Sequence, residues 1–190
     1  MRKTIFAFAA LFLLSISGYS QLVKRNTVFE KGDNVFNLGV GAGDPAYMFT
    51  GWKTAIPTIS LSQEYCFIDD LLDVASVGIG GYISFSSHKR IESIWGIDET
   101  YHVYDFVFGA RGVFHYQLVK DIDTYAGGMI GFDIQGDDYD NSFGSSKLNG
   151  SRPVGAAFVG ARYYVTDKFA FNSEFGYGIS IFTFGVSAKL

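Results

Sequence analysis

Three histidines and one cysteine are the side chains of this 190-residue sequence that most readily bind metals or attack substrates: His88, His102, His115 and Cys66. None of the histidines has a second histidine four positions away, the spacing that places two imidazoles on one face of a zinc-binding helix. A single cysteine excludes an internal disulfide and any site built from several cysteines. The sequence therefore predicts no cofactor and no metal centre.

Two short motifs are similar to ligand-binding sequences. Asp137, Asp138 and Asp140 lie in GDDYDNSFG, which lacks the central glycine and distal glutamate of a calcium-binding loop. We expect a solvated acidic loop, with weak cation binding as the alternative. The glycine run Gly39–Gly43 is not followed by a helix, so a phosphate-binding loop is not expected. A pI of about 5.3 without basic runs predicts no nucleic-acid partner.

The elements that carry these residues are strands. Apolar and polar residues alternate with period two, and Phe182, Phe184 and Val186 share a face opposite Thr183 and Gly185. Eight such segments follow one another: Val35–Gly43, Pro57–Phe67, Val74–Phe85, Tyr101–Gln117, Asp123–Gln135, Pro153–Val165, Phe169–Tyr177 and Ile179–Leu190.

The connections between these strands alternate in length. Long polar connections are predicted at Asp44–Ile56, Ser86–Thr100 and Gly136–Arg152, and short ones at Ile68–Asp73, Leu118–Ile122 and Thr166–Lys168, with a tight turn near Gly176–Gly178. Long loops at one end and short turns at the other are typical of a transmembrane β-barrel. An even number of strands places both ends of the barrel on the short-turn side.

The N-terminal segment has the layout of an export signal. In Met1–Ser20, two basic residues precede the apolar stretch Ile5–Ile16, and small residues follow it. The stretch is shorter than the roughly 20 apolar residues of a membrane-spanning helix. We expect cleavage before Gln21, then a flexible lead-in over residues 21–33 and one barrel domain over residues 34–190.

The composition of the two strand faces indicates which face is outside. The polar faces are rich in Gly and Ser and carry few charges, which suits a crowded interior better than a soluble exterior. The apolar faces end in aromatic residues on the short-turn side, as in an interfacial girdle: Tyr65, Phe67, Phe114, Tyr116, Tyr163 and Phe169. The alternative is a soluble lipocalin-like barrel, whose apolar face points inward and binds a ligand.

These features together resemble the small outer-membrane β-barrel family typified by OmpA and OmpX. The resemblance covers residues 34–190, and the sequence departs from it in ending at Leu190, where many such barrels end in an aromatic residue. It implies an all-β fold, an eight-stranded antiparallel up-and-down transmembrane β-barrel in a Gram-negative-type outer membrane. It also implies contact with outer-membrane lipid and lipopolysaccharide, insertion by the barrel-assembly machinery, and a monomer.

Charged residues on the inward faces predict an ion-pair network in the lumen. Glu64, Arg111, Arg162 and Glu174 lie three to six residues from the short-turn ends of their strands, and so at similar depth. Buried charges must be paired or hydrated. We expect a network that plugs the lumen, with a narrow water-filled passage for small solutes as the alternative. Further inward charges are Asp105, Asp133 and Lys189.

The function expected from these residues is not catalytic. Barrel-shaped lipid A deacylases place a catalytic His and Ser two positions apart, whereas the residue two positions after the outward His102 is Tyr104. The remaining candidates are a structural envelope role and surface interaction through the long loops. The loop aromatics Trp52, Trp95 and Tyr139 are the predicted contact residues, since exposed aromatic side chains mark binding surfaces.

Overall fold

The structure is a computed structural model. It describes residues 28–71, 75–94, 97–141, 144–146 and 149–190, without the side chains of 94, 97–99, 118, 137–141, 144–146 and 149. The predicted signal peptide, residues 1–20, lies outside the described residues, as does the first part of the predicted lead-in.

Nine strands account for most of the described chain. Their bounds are β1 Asn34–Ala42, β2 Lys53–Leu71, β3 Ala75–Ile94, β4 Ile97–Val119, β5 Ile122–Asn141, β6 Gly144–Ser146, β7 Asn149–Tyr164, β8 Phe169–Tyr177 and β9 Phe182–Lys189. Within these described ranges, no helix is long and apolar enough to cross a membrane.

Eight of the nine strands close into an antiparallel ring. The order is β1-β2-β3-β4-β5-β7-β8-β9, and β9 returns to β1 with Gly39 opposite Gly185. The three-residue β6 pairs only with the end of β5. Closure leaves no sheet edge, so the backbone polar groups bond within the barrel, as a lipid-exposed sheet requires. The predicted eight-stranded up-and-down barrel is confirmed.

The barrel is polar inside and apolar outside. On β2, Ser60, Ser62 and Glu64 are buried in the lumen, whereas Ile59 and Leu61 are 46% and 41% exposed on the outer surface. The lipocalin-like alternative required the opposite arrangement and is wrong, because the charged and polar side chains are buried in the lumen and the large apolar side chains are exposed outside.

The exposed apolar surface has the height of a bilayer core. On β4 the outward side chains run from Tyr104 to Phe114, which rise about 26 Å along the axis at about 3.4 Å per residue and a tilt of about 40°. Near the short-turn end, exposed aromatic rings surround the barrel at Tyr65, Phe67, Phe114, Tyr163 and Phe169. This surface matches the apolar band and girdle of a transmembrane barrel.

The strands extend further than the alternation predicted on the long-loop side. The predicted loop Ser86–Thr100 is instead a ribbon of β3 and β4, paired as far as Ile94 and Ile97. Beyond the bilayer both faces of such a ribbon meet water, so period two disappears from the sequence while the pairing continues. Gly136–Arg152 is likewise partly strand, and the turn after β8 lies on this same side.

Candidate functional site in the barrel lumen

Arg162 is the centre of a buried polar network. It points inward from β7 and is fully buried. Nη2 donates to Glu64 Oε2 at 2.5 Å, Nη1 to Asp123 Oδ2 at 3.1 Å and Nε to Asn37 Oδ1 at 3.1 Å. The guanidinium also lies 4.5 Å from the centre of the Tyr125 ring. Each nitrogen therefore has a partner from a different strand, and the side chain ties β1, β2 and β5 to β7 across the lumen.

His115 extends this network toward the short-turn end. Its Nδ1 is 3.0 Å from both carboxylate oxygens of Asp123, and its Nε2 is 3.5 Å from Glu64 Oε2. The ring therefore bridges the same two carboxylates that Arg162 bonds. Such an arrangement keeps both carboxylates paired in the absence of bulk water.

Arg111 joins the network from β4. Its Nη2 donates to Glu174 Oε1 at 2.7 Å and lies 3.6 Å from Glu64 Oε1, and its Nη1 donates to Ser62 Oγ at 3.2 Å. Its guanidinium stacks 4.0 Å from the centre of the Phe158 ring. The structure thus brings the four charged residues predicted from sequence, Glu64, Arg111, Arg162 and Glu174, into one network.

Several members of the network were not predicted. Asp123 lies an even number of residues from Asp133 on β5, so its side chain points to the same inward face, and this signal could have identified it. Asn37 accepts a bond from Ser187 Oγ at 2.7 Å as well as from Arg162. Tyr125 donates its hydroxyl to Glu174 Oε1 at 3.1 Å. An uncharged inward residue carries no such sequence signal, since its parity is shared with every other lumen position.

A second polar cluster lies in the lumen at the long-loop end. The loop between β1 and β2 folds inward and stacks Tyr47 on His88, with ring centres 3.9 Å apart. The Tyr47 hydroxyl donates to Asp105 Oδ1 at 2.9 Å, and Gln135 Nε2 donates to the same oxygen at 2.7 Å. Burial raises the pKa of Tyr47 and that of Asp44 in this loop. The predicted inward Asp133 bonds Arg152 Nη2 at 2.8 Å.

Two small cavities lie beside these clusters. One, of about 30 Å³, is beside Arg111 and Tyr82, and the other, of about 20 Å³, is beside Asp105 and Asp133. A single water molecule needs about 10–15 Å³ of accessible volume, so the first cavity has room for about two or three waters and the second for about one or two.

The predicted loop aromatics are only partly described. Trp52 is half-buried, with its ring centre 5.8 Å from that of Tyr47 and 5.4 Å from the guanidinium of Arg90. Trp95 lies outside the described residues. Tyr139 is in β5, where its backbone pairs with Tyr101, and its side chain is not described.

The remaining candidate residues of the sequence are the histidines, the cysteine and the acidic segment around Asp138. Across the described ranges, no group of three or more His, Cys, Asp and Glu side chains is placed to hold a metal ion. The outward His102 stacks on Tyr104, with ring centres 6.4 Å apart. The side chains of Asp137, Asp138 and Asp140 are outside the description.

Comparisons with known proteins identify the fold. No family model and no curated protein matches the chain. Among solved structures, Ail, the attachment invasion locus protein of Yersinia pestis in complex with the heparin analogue sucrose octasulfate, is similar with a TM-score of 0.55 and 13% identity, over 85% of this chain and 100% of Ail. The outer membrane protein OprG from Pseudomonas aeruginosa is similar with a TM-score of 0.54 and 10% identity, over 85% of this chain and 97% of OprG.

Neisserial surface protein A gives a TM-score of 0.52 at 13% identity, over 84% of this chain and 98% of that protein. At these identities the likeness concerns the fold. The chain has the fold of the small eight-stranded outer-membrane barrels.

Proposed function

We propose that this chain, with the fold of the small eight-stranded outer-membrane barrels, is a non-catalytic outer-membrane protein with a closed lumen that acts through its extracellular end. The observation that carries the proposal is the network around Arg162, which joins four strands through buried, paired charges. In this proposal residues 1–20 direct export, the barrel-assembly machinery inserts the mature chain as a monomer, and the long-loop end faces outward.

The paired network supports a closed lumen over a small-solute channel. Arg111 and Arg162 are both buried and bond carboxylates on facing strands, so an ion entering the lumen would have to break those pairs. Conductance in planar bilayers tests this part: we expect no steps above the background of protein-free membranes. Reproducible conductance steps from the folded protein would establish the channel instead.

Basic residues above the apolar band favour contact with anionic outer-leaflet lipid such as lipopolysaccharide. Lys53 on β2 pairs with Lys89 on β3, which in turn pairs with His102 on β4. His102 lies on the outer face, two residues beyond Tyr104. Like charges directly opposite each other destabilise a sheet unless an anion lies between them. In the part of the chain that the structure describes, neither lysine is in an ion pair, which leaves both ammonium groups available to lipid phosphates.

An aromatic and cationic cluster supports a surface-interaction role. Trp52 lies between Tyr47 and Arg90 at the long-loop end, beside the β3–β4 ribbon. Aromatic rings and arginine supply much of the binding energy at protein surfaces. Ail was solved with a sulfated sugar, which makes immobilised heparin, a sulfated polysaccharide, a suitable first probe for this cluster.

The experiment replaces Ile91–Thr100 by Asn-Gly, which forms a tight turn between the paired Arg90 and Tyr101 and leaves the barrel intact. Intact cells displaying the shortened protein and the Trp52→Ala variant are compared with wild type for binding to heparin-coated and dextran-coated surfaces. We expect heparin-specific binding by wild type and its loss in both variants. Equal binding by all three proteins would contradict the surface role.

The barrel itself is tested separately. The folded protein should reside in the outer-membrane fraction and migrate differently on a gel before and after boiling. A protein found in the soluble fraction without a mobility shift would contradict the outer-membrane assignment.

A further inference from the structure

The last residues of the predicted lead-in enter the barrel. Phe29 is 2% exposed, and its ring centre lies 4.2 Å from that of His115. It packs in one buried cluster with Val35 and Cys66, both fully buried. The sequence predicted a flexible segment over residues 21–33, and the structure places residues 28–33 across the short-turn mouth.

Hydrogen bonds hold this segment to four strands. Val28 N donates to Gln117 Oε1 at 3.0 Å on β4, and Ser76 Oγ on β3 donates to Phe29 O at 3.2 Å. Gly32 N donates to the backbone oxygen of Cys66 on β2 at 3.2 Å. From β9, Lys189 Nζ donates to Val28 O and to Asp33 Oδ2, both at 3.2 Å.

The barrel wall leaves room for the aromatic ring. A Cβ atom on Gly78 would lie 3.3 Å from Phe29 Cε1, tighter than most real contacts. The ring therefore occupies the space that a side chain on β3 would otherwise take. Directly beyond the ring lies His115, the first member of the Arg162 network met from this end.

We propose that residues 28–33 form a stopper, with Phe29 as its sealing side chain, that excludes bulk water from the buried ion network and opens as a local unit. The bonds from Gln117 and Lys189 at the rim are partly exposed, whereas His115, Asp123 and Glu64 behind the ring are buried, so the segment can detach without unfolding the ring of strands. When it detaches, Cys66 and His115 become accessible from the short-turn side. The inference is independent of what the extracellular end binds.

Cys66 supplies a native reporter, because it is the single cysteine of the chain and lies against Phe29. The folded full-length mature protein is treated with a small water-soluble maleimide, and the labelling rate is normalised to that of the urea-unfolded chain. We expect slow labelling of wild type and a rate about 10- to 100-fold higher for Phe29→Ala, since a buried phenylalanine contributes that much to closure.

Two controls separate local opening from general loosening. Phe49→Ala removes a loop phenylalanine that is 92% exposed and should label like wild type. Gly131→Ala introduces a clash far from the mouth and should stay within about two-fold of wild type, because the stopper remains closed. Lys189→Gln, which loosens the rim but keeps Phe29, should label at an intermediate rate and covers the case that Phe29→Ala fails to fold.

The proposal is overturned if wild-type Cys66 already labels at the unfolded rate, or if folded Phe29→Ala or folded Lys189→Gln labels no faster than wild type. It is also overturned if Gly131→Ala accelerates labelling as much as Phe29→Ala, because access would then follow global unfolding.

Discussion

Replacing Arg162 by methionine should destabilise the barrel more than any exposed charge substitution. The change keeps most of the aliphatic volume but removes the partner of Glu64 and of Asp123, which are 0% and 1% exposed. Breaking a buried ion pair from one side costs about 3–5 kcal/mol, because the remaining charge stays buried without compensation. Arg111 still lies 3.6 Å from Glu64 and His115 still bonds Asp123, so we expect a loss of about 3 kcal/mol, the lower end of that range.

The assay is the fraction of folded, heat-modifiable protein on unboiled gels across a urea series in lipid vesicles. A loss of about 3 kcal/mol lowers the folded-to-unfolded ratio about 150-fold at fixed urea, or the midpoint by about 1 to 3 M. Arg90→Met is the matched control, because Arg90 pairs with Glu92 where both side chains are more than one third exposed. It should cost at most about 1 kcal/mol.

The double variant Glu64→Gln with Arg162→Met checks the cause. Because it also neutralises Glu64, the carboxylate that loses its shortest bond in Arg162→Met, it should recover part of the stability that Arg162→Met loses. If Arg162→Met shifts the midpoint no further than Arg90→Met does, Glu64 and Asp123 are hydrated rather than buried as pairs. That result would refute the closed lumen and favour a water-filled passage.

Three further outcomes follow from single positions. Gly131→Ala places a Cβ 2.1 Å from a backbone oxygen of β4 and should cost about 1–3 kcal/mol in the same urea assay, whereas Gly112→Ala meets nothing within 4 Å and should cost less than about 0.5 kcal/mol. Burial raises the pKa of Asp44, so the folded loop binds its proton more tightly than the unfolded loop. Stability of this loop should then fall as pH rises from about 4 through that pKa. The measurement is tryptophan fluorescence as a function of pH, which should change over this range in wild type and stay constant in Asp44→Asn. Lys53→Gln and Lys89→Gln should each weaken retention of phosphorylated lipid A about five-fold by native mass spectrometry, with no effect on the dephosphorylated form.

The alternation of side chains was sufficient to predict the barrel but not its full height. On β2, apolar and polar residues alternate (Ile59 and Leu61 with Ser60 and Ser62), which indicates a strand with lipid on one face and a polar lumen on the other. The signal ends where the lipid ends, because both faces of the β3–β4 ribbon are then hydrated. Strand pairing beyond the rim depends on backbone bonds, which leave no period in the sequence.

The sequence predicted the depth of the charged lumen residues along the barrel axis, but not which residues bond each other. Counting residues from the short turns places Glu64 and Arg162 at one height, which is why the pair was anticipated. The angular position of each strand around the ring decides the actual partners, and this follows from ring closure rather than from local sequence. Phe29 carried no signal, since one aromatic residue in a polar segment has no period.

Glycine positions explain how so many large side chains fit inside eight strands. A Cβ on Gly160 would lie 2.5 Å from the Tyr125 ring, and one on Gly127 would lie 2.6 Å from the Phe158 ring. The contact at Gly78 is looser, with a Cβ 3.3 Å from the Phe29 ring. The rings of Tyr125 and Phe158 thus each lie over a glycine, and they support the guanidinium groups of Arg162 and Arg111. The glycine content and the buried charge network are therefore linked: a side chain at Gly160 or Gly127 would displace the ring of Tyr125 or Phe158, and with it the guanidinium group that the ring supports.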